Sequence, residues 1–308
     1  TGAVILMYHS VANGEVAQYI DPPNHLPSAE FERQMAFLSK ERNVVSLNEL
    51  VAQLEAGQEP CAGTVCITFD DGYLDNLTVA APILEKYRLP ATLYLPTSYI
   101  DCGETHWADT VHQMFLFRTR DQLTMPSLGF SANLADEMQR ASAYRKLHRP
   151  LLTSLYPDRQ ALLAEVREQL HPSQEGPRLT MIWDEVRDLG QRFPLFTVGG
   201  HSQSHIDLST NGGQYALSEI EGCKRNIQKE LGIDPQHFSF PYARWCTETR
   251  SLVEQCGWKS AVGDGLGVRI GVKSDRFVLP RLPTPVSMTD LKFKTGGSFP
   301  GVYAWIGR

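Results

Sequence analysis

The chain has 308 residues, 42% of them hydrophobic and 21% charged, which suits a sizeable folded core and excludes the disordered and collagen-like classes. A formal charge of −6 leaves no basic footprint for a nucleic-acid partner, and no apolar run approaches the roughly 20 residues that span a bilayer. The six cysteines, at positions 61, 66, 102, 223, 246 and 256, form neither a CxxC pair nor a dense disulfide pattern, so free thiols and a cytoplasmic or cytoplasm-facing setting are expected.

The first element is Val4–Tyr8 (VILMY), read as a buried strand; it is too short for a signal peptide and lacks a basic flank. Ser46 and Glu49 form a capping box for a helix over Leu47–Ala56, which Gly57 stops. Val65–Phe69 (VCITF) is the next strand. The helical stretch Tyr73–Tyr87 contains Pro82 and is predicted to break or kink near Ala80. After the strand Thr92–Leu95 the rhythm changes. Residues 101–178 are helical in composition and rich in charge, including Glu137, Arg140 and Arg145. They read as a helical insertion within a single domain spanning 1–308, forming a wall of the cleft or a partner surface.

Trp183 and Asp184 mark the start of a further helix, with Trp183 read as core packing. Strands follow at Leu195–Val198, Phe238–Phe240, Ser260–Val262 and Phe277–Leu279, separated by helices over Ser218–Leu231 and Glu248–Cys256 that end at Gly232 and Gly257. This alternation predicts an α/β fold, a parallel sheet or barrel with helices outside. In such folds chemistry collects beyond the carboxyl ends of the strands.

Two segments at strand ends carry that chemistry. In ITFDDGY (Ile67–Tyr73) the adjacent carboxylates of Asp70 and Asp71 are costly unless something cationic accepts them, and Gly72 permits a sharp turn. In GGHSQSH (Gly199–His205) the histidines at 201 and 205 are four apart, so one helical turn would place both imidazoles on one side. Two imidazoles and one carboxylate are a usual catalytic zinc set that leaves a position for water or substrate. Asp71, His201 and His205 are therefore the expected ligands of one divalent metal ion, with Asp70 free to take the proton of a metal-bound water. Zinc is the first expectation; cobalt, manganese and iron suit the same donors. In FSFPYARW (Phe238–Trp245) a strand ends at a Pro-Tyr turn, whose N–H at Tyr242 could stabilise an oxyanion.

Taken together, TFDDG at Thr68–Gly72, HSxxH at His201–His205 and the aromatic-Pro-Tyr segment Phe240–Tyr242 resemble the polysaccharide deacetylase superfamily, the NodB-homology or carbohydrate esterase family 4 enzymes. The resemblance implies a distorted (β/α) barrel, usually counted as seven-stranded. It also implies Asp70 as base, Asp71, His201 and His205 as metal ligands, and Tyr242 as backbone oxyanion donor. The family's late leucine-histidine pair with the general acid is missing, since no histidine follows His237, and the arginine that usually precedes the Pro-Tyr motif is absent. The opening MYHSV followed by FDDGY is similar to poly-N-acetylglucosamine deacetylases in which the barrel order is permuted and an early histidine takes the acid's place. His9 is the residue this implies, and Arg281, in FVLPRLP, is the candidate for orienting Asp70 or binding substrate.

The expected function is removal of the N-acetyl group from an N-acetylated amino sugar of a polysaccharide or glycan precursor. The alternatives are a related amidohydrolase or esterase acting on a non-sugar acyl compound, or a carbohydrate-binding protein on a decayed deacetylase fold.

Overall fold

The computed structural model describes residues 2–264 and 269–296; the remainder of the single domain read over 1–308 lies outside the described residues. Among the described residues there are ten strands: β1 (Val4–Tyr8), β2 (Asn43–Val44), β3 (Thr64–Phe69), β4 (Ala91–Leu95), β5 (Gln122–Met125), β6 (Phe130–Asn133), β7 (Phe196–Gly200), β8 (His237–Ser239), β9 (Ser260–Gly263) and β10 (Leu279–Leu282). All pairings except β5–β6 are parallel, in the order β1-β10-β9-β8-β7-β4-β3. Five registered pairs from Val4↔Val65 to Tyr8↔Phe69 join β3 back to β1. The result is a closed seven-stranded barrel, with β2 added beside β3.

Among the described residues eleven α-helices accompany the strands: α1 (Ser28–Glu41), α2 (Leu47–Glu55), α3 (Ala81–Tyr87), α4 (Thr97–Cys102), α5 (Trp107–Leu116), α6 (Glu137–Thr153), α7 (Tyr156–Leu170), α8 (Trp183–Arg192), α9 (Gly213–Leu231), α10 (Thr247–Gln255) and α11 (Met288–Thr295). The Ser46–Glu49 capping box is formed, with each side chain accepting from the other residue's N–H. A π-turn over Asn76–Ala80 precedes α3, so the chain accommodates Pro82 in the first turn of a new segment.

Strand parity explains how the barrel is filled and where its chemistry comes from. Successive strand side chains point to opposite faces. Val4, Leu6, Val65, Ile67 and Phe69 pack in the large core shared with the helices, whereas Ile5, Cys66, Tyr94, Val262 and Leu279 gather with Leu47, Leu50 and Val51 of α2. Continuing the second set upward by two residues brings Met7 and His9, Thr68 and Asp70, and Arg281 to the carboxyl end of the barrel. Burial of this kind stabilises by about 25 cal/mol per Å² of apolar surface, and both faces of the strands benefit from it.

Residues 101–178, expected as a helical insertion, are not purely helical. They contain the antiparallel hairpin β5–β6, closed through Pro126–Leu128 and Gly129, where φ is +68°. Gln122 to Met125 alternates exposed and buried, a period-2 pattern too short to stand out among flanking charges. Trp107, Met114, Phe115, Leu147, Val166 and Leu170 are among the residues of a separate apolar core there. Two further boundaries move. Helix α9 begins at Gly213 rather than Ser218 because Glu248, distant in sequence, accepts the Gly213 N–H at 3.0 Å. The last strand runs over Leu279–Leu282 rather than Phe277–Leu279, since the Phe277 and Val278 N–H groups are held in a turn by Asp275. Trp183 is 7% exposed in the main core, and its indole N–H donates to Asp101 at 2.7 Å.

Asp109 of α5 ties the insertion to the barrel, accepting from the Tyr73 hydroxyl and the Asp21 N–H, both at 2.7 Å. Burial pushes its carboxyl up to about 8. Because this folded-state value lies above the unfolded one, the native protein holds the extra proton between about pH 4 and about pH 8, and this group's contribution to stability falls as pH rises through that window. The slope from one such proton approaches roughly 1.4 kcal/mol per pH unit. Asp109→Asn is therefore expected to flatten the decline in denaturant-measured stability between pH 5 and pH 8; an unchanged profile would show that Asp109 is ionised throughout.

Candidate active site

At the carboxyl end of β3 the chain turns sharply. Asp71 has φ +75° and Gly72 φ +68°. The positive φ at Gly72 suits glycine, and a Cβ there would also press within 2.8 Å of the Ile100 side-chain tip and 2.9 Å of that of Leu95. Asp70 and Asp71 are both buried. Asp70 is clamped by Arg281 of β10, with Nη1 donating to Oδ1 and Nη2 to Oδ2, both at 2.6 Å. The same guanidinium donates to Ser239 Oγ at 2.8 Å and lies over the Tyr94 ring. Burial raises the Asp70 carboxyl, but Arg281 and then His201 outweigh it, and the net value is below the usual carboxylate range. Asp70 thus stays ionised although it is buried.

The segment after β7 brings the two histidines to Asp71 by a route other than a helical turn. Ser202 has φ +61° and His205 φ +49°, and the Ser202 hydroxyl accepts the His205 N–H at 3.0 Å. The outer side of this loop is held by Glu219 of α9, which accepts from the N–H groups of Gln203 and Ser204. Arg159 of α7 is fully buried and donates to the carbonyls of Ser204 at 3.3 Å and His205 at 3.1 Å. Five of the seven non-glycine residues with positive φ among the described residues are Asp71, Ser202, His205, Tyr242 and Ala243. Such conformations cost roughly 1–3 kcal/mol each and persist where surrounding bonds over-determine them. Here Glu219 and Arg159 supply those bonds for the histidine loop.

His201 Nε2 lies 3.5 Å and His205 Nε2 3.1 Å from Asp71 Oδ1, yet this buried oxygen has no aligned hydrogen-bond donor. His201 Nδ1 donates to the Ser239 carbonyl at 2.7 Å, which leaves its Nε2 lone pair facing the carboxylate. Burial pushes the His201 imidazole down to about 4 and lowers His205 as well, so both rings are neutral at neutral pH. A buried carboxylate oxygen without a donor, faced by neutral imidazole nitrogens, is a donor set fitted to a divalent cation.

A third histidine joins the cluster. His106 donates through Nε2 to the Asp71 carbonyl at 3.2 Å and stacks on Tyr99 with ring centroids 4.4 Å apart. Donor atoms of Asp71, His106 and His205 lie within 4.8 Å of one another. His106 stands in ETHWAD inside the insertion, where no motif singles it out. Arg159 was equally invisible, one arginine in a charged helix.

His9 follows β1 and lines a cavity of about 390 Å³ together with Asp70, Asp71, His106, His201 and His205. Its Nδ1 is buried without a partner, while its carbonyl accepts from Asn76 at 2.8 Å. The loop carrying it is fixed from the Asp70–Asp71 side: Asp75 accepts from the Ser10 hydroxyl at 2.5 Å and the Val11 N–H at 3.0 Å. MYHSV and FDDGYLDN are therefore two halves of one built unit. Tyr242 sits in the turn after β8 with φ +58°; its hydroxyl donates to the His205 carbonyl at 3.1 Å and accepts from the Trp107 indole at 2.8 Å. Trp107, Tyr144, Arg145 and His148 of the insertion complete the cavity wall.

A larger cavity of about 500 Å³ opens at the opposite end of the barrel around Phe196 and His237, but His237 is already bonded to Ser260 and Asn48. The convergent groups, rather than cavity size, mark the candidate site.

The sequence model of the family described as polysaccharide deacetylase matches residues 57–142 and 159–261. The protein YxkH of Bacillus subtilis (strain 168) is 36% identical over 92 residues, which cover 30% of this chain and 30% of that protein. The alignment thus spans less than a third of that relative's length. Among solved structures, the Streptococcus pyogenes deacetylase PplD in complex with acetate superposes with a TM-score of 0.64 at 16% identity, covering 96% of this chain and 98% of that one. IcaB from Ammonifex degensii superposes with a TM-score of 0.62 at 15% identity, covering 96% and 97%. A de-N-acetylase from Aggregatibacter actinomycetemcomitans gives 0.61 at 16% identity, covering 96% and 100%. At such identities these likenesses establish the shared fold.

Proposed function

Because this chain belongs to the polysaccharide deacetylase family, we propose that it is a metal-dependent hydrolase that removes the N-acetyl group from an N-acetylated amino sugar of a polysaccharide or glycan precursor. One observation carries the reading: the buried Asp71 oxygen without a donor, faced by His201 and His205, stands beside a second carboxylate that is clamped by Arg281.

Asp71, His201 and His205 would hold the metal; the donor atoms that lie within 4.8 Å of one another are those of Asp71, His106 and His205, a group that does not include His201. When bound, a divalent ion supplies a water of lowered pKa and polarises the acetyl carbonyl. Asp70 takes the proton from the attacking water; Arg281 holds both its oxygens and keeps it ionised and oriented. The Tyr242 N–H, in the turn after β8 that lines the cavity, would stabilise the charge that develops on the carbonyl oxygen. His9, which lines the same cavity and whose buried Nδ1 has no partner among the described residues, delivers a proton to the departing amine. The Asp70 and His9 roles are complementary: an anionic acceptor held by a cation, and an imidazole free to pass a proton.

The test is acetate release from N-acetylglucosamine oligomers, compared with aryl acetates and cyclic amides. The sugar amide is expected to be the preferred substrate, and turnover of only the non-sugar compounds would favour an amidohydrolase or esterase reading. In the same assay His9→Ala should slow release from the amide by about 10²–10⁴-fold and affect aryl esters far less, because a phenolate leaves without a proton. Equal rates for the variant and the parent protein on the amide would remove His9 as the acid.

A further inference from the structure

The cavity that holds the reacting groups does not end at the acetamido-binding position. It shares Asp21, Pro23, Tyr144 and Arg145 with a neighbouring cavity of about 740 Å³ that runs along α6. The two together exceed the room one sugar ring needs, and they meet at Tyr144 and Arg145 of α6. The occupant of the second cavity is constrained by its charge. Arg118, Arg140 and Arg145 line it, with His112, against the acidic Asp21 and Glu137.

These groups are not equally available. Arg118 is engaged with Asp121 and with the carbonyls of Phe115 and Leu134, and Arg140 donates to the Leu134 carbonyl at 3.0 Å. Asp21 is 7% exposed, with burial raising its carboxyl. Arg145 is exposed, lines both cavities, and makes no ion pair or hydrogen bond among the described residues. A guanidinium fork at the junction of two cavities, with its five donors uncommitted, matches an anionic oxygen pair better than a neutral hydroxyl.

We propose that the insertion builds a subsite for an anionic substituent, a carboxylate or phosphate, carried by the sugar next to the acetamido sugar and held by Arg145. The inference rests on the deacetylase reading for the neighbouring cavity. It assigns the insertion the role of selecting acidic glycans from neutral ones.

The experiment uses the full chain loaded with zinc and three tetrasaccharides: an N-acetylglucosamine tetramer, the same tetramer bearing a 6-phosphate, and one alternating N-acetylglucosamine with glucuronate. At least one anionic substrate should show a higher kcat/KM than the neutral tetramer, and which one does so separates phosphate from carboxylate. Arg145→Ala should lower the anionic-to-neutral ratio about tenfold or more, chiefly through KM, as loss of a charge-assisted hydrogen bond implies. Arg149→Ala removes the same charge from α6 outside both cavities and should preserve the ratio. A parent enzyme with no anionic preference, or an Arg145→Ala ratio that is unchanged, overturns the subsite.

Calorimetric titration of the same oligosaccharides into Asp70→Asn separates this inference from the one beneath it. Weaker anionic binding on adding Arg145→Ala, with no acetate released from any sugar by the parent enzyme, would keep the subsite and sink the deacetylase reading. Unchanged binding would sink the subsite whatever the turnover.

Discussion

Asp70→Asn is expected to lower kcat/KM for acetate release by about 10²–10⁴-fold, the range associated with a lost general base, while zinc affinity measured by competition titration stays close to that of the parent. The substitution removes the proton acceptor and leaves Asp71, His201 and His205 in place. It also costs stability, because Arg281 loses the carboxylate that both its terminal nitrogens reach at 2.6 Å. Breaking one side of a buried pair costs roughly 3–5 kcal/mol, so the folded fraction must be measured alongside the rate. The acid side carries a further signature. The folded-state value of Asp70 is depressed, so its stabilisation is present above the unfolded carboxylate value near 3.9 and is lost as pH falls through the folded one. Asp70→Asn should lack that acid-side loss. A variant that turned over at the parent rate would show that another group accepts the proton.

Removing the metal is expected to have an effect at least as large. Dialysis against a strong chelator should abolish acetate release, and one equivalent of zinc per chain should restore it. Elemental analysis of protein prepared without chelator should then return about one divalent ion per chain, as a three-ligand site with an open position requires. Asp71→Ala should lose both metal and activity, since it removes the oxygen that both imidazole nitrogens face at 3.5 and 3.1 Å. A chelator-treated, metal-free protein that still released acetate would end the metal-dependent reading. The contrast between Asp71→Ala, without metal, and Asp70→Asn, with it, assigns different work to two adjacent carboxylates.

The way these residues are held clarifies what could be read in advance. Asp70 and Asp71 occupy a short strand-turn signal, and His201 and His205 another; each is local, so residue type and spacing suffice to find it. The histidine loop nonetheless departs from the one-turn helix that the spacing suggests. Ser202 at φ +61° and the anchors Glu219 and Arg159 set its shape, and those anchors lie on α9 and α7. Arg281 is the most instructive case. No arginine precedes the Pro-Tyr turn, but Arg281 reaches both Ser239, just before that turn, and Asp70 from across the barrel. The clue was parity: Leu279 and Arg281 share a strand face, and Leu279 belongs to the inner apolar set. His106 had no such clue, because the irregular segment ahead of α5 carries no period.

Local pattern and residue chemistry suffice for the order of the seven barrel strands, the strand ends that carry chemistry and the choice of Asp70, Asp71, His201 and His205 as candidates, but they do not reveal β2 or the β5–β6 hairpin. Tertiary structure adds the two-nitrogen clamp of Arg281 on Asp70, the approach of His106 to Asp71, the entry of His9 into the same cavity, and the placing of Arg159 against the histidine loop and of Arg145 on the cavity wall. Each of these contacts joins residues far apart in the chain. Their geometry follows from closing β1 onto β3 and packing the insertion over the barrel mouth. Closure of that kind is a property of the whole chain's packing, which no short window of sequence contains.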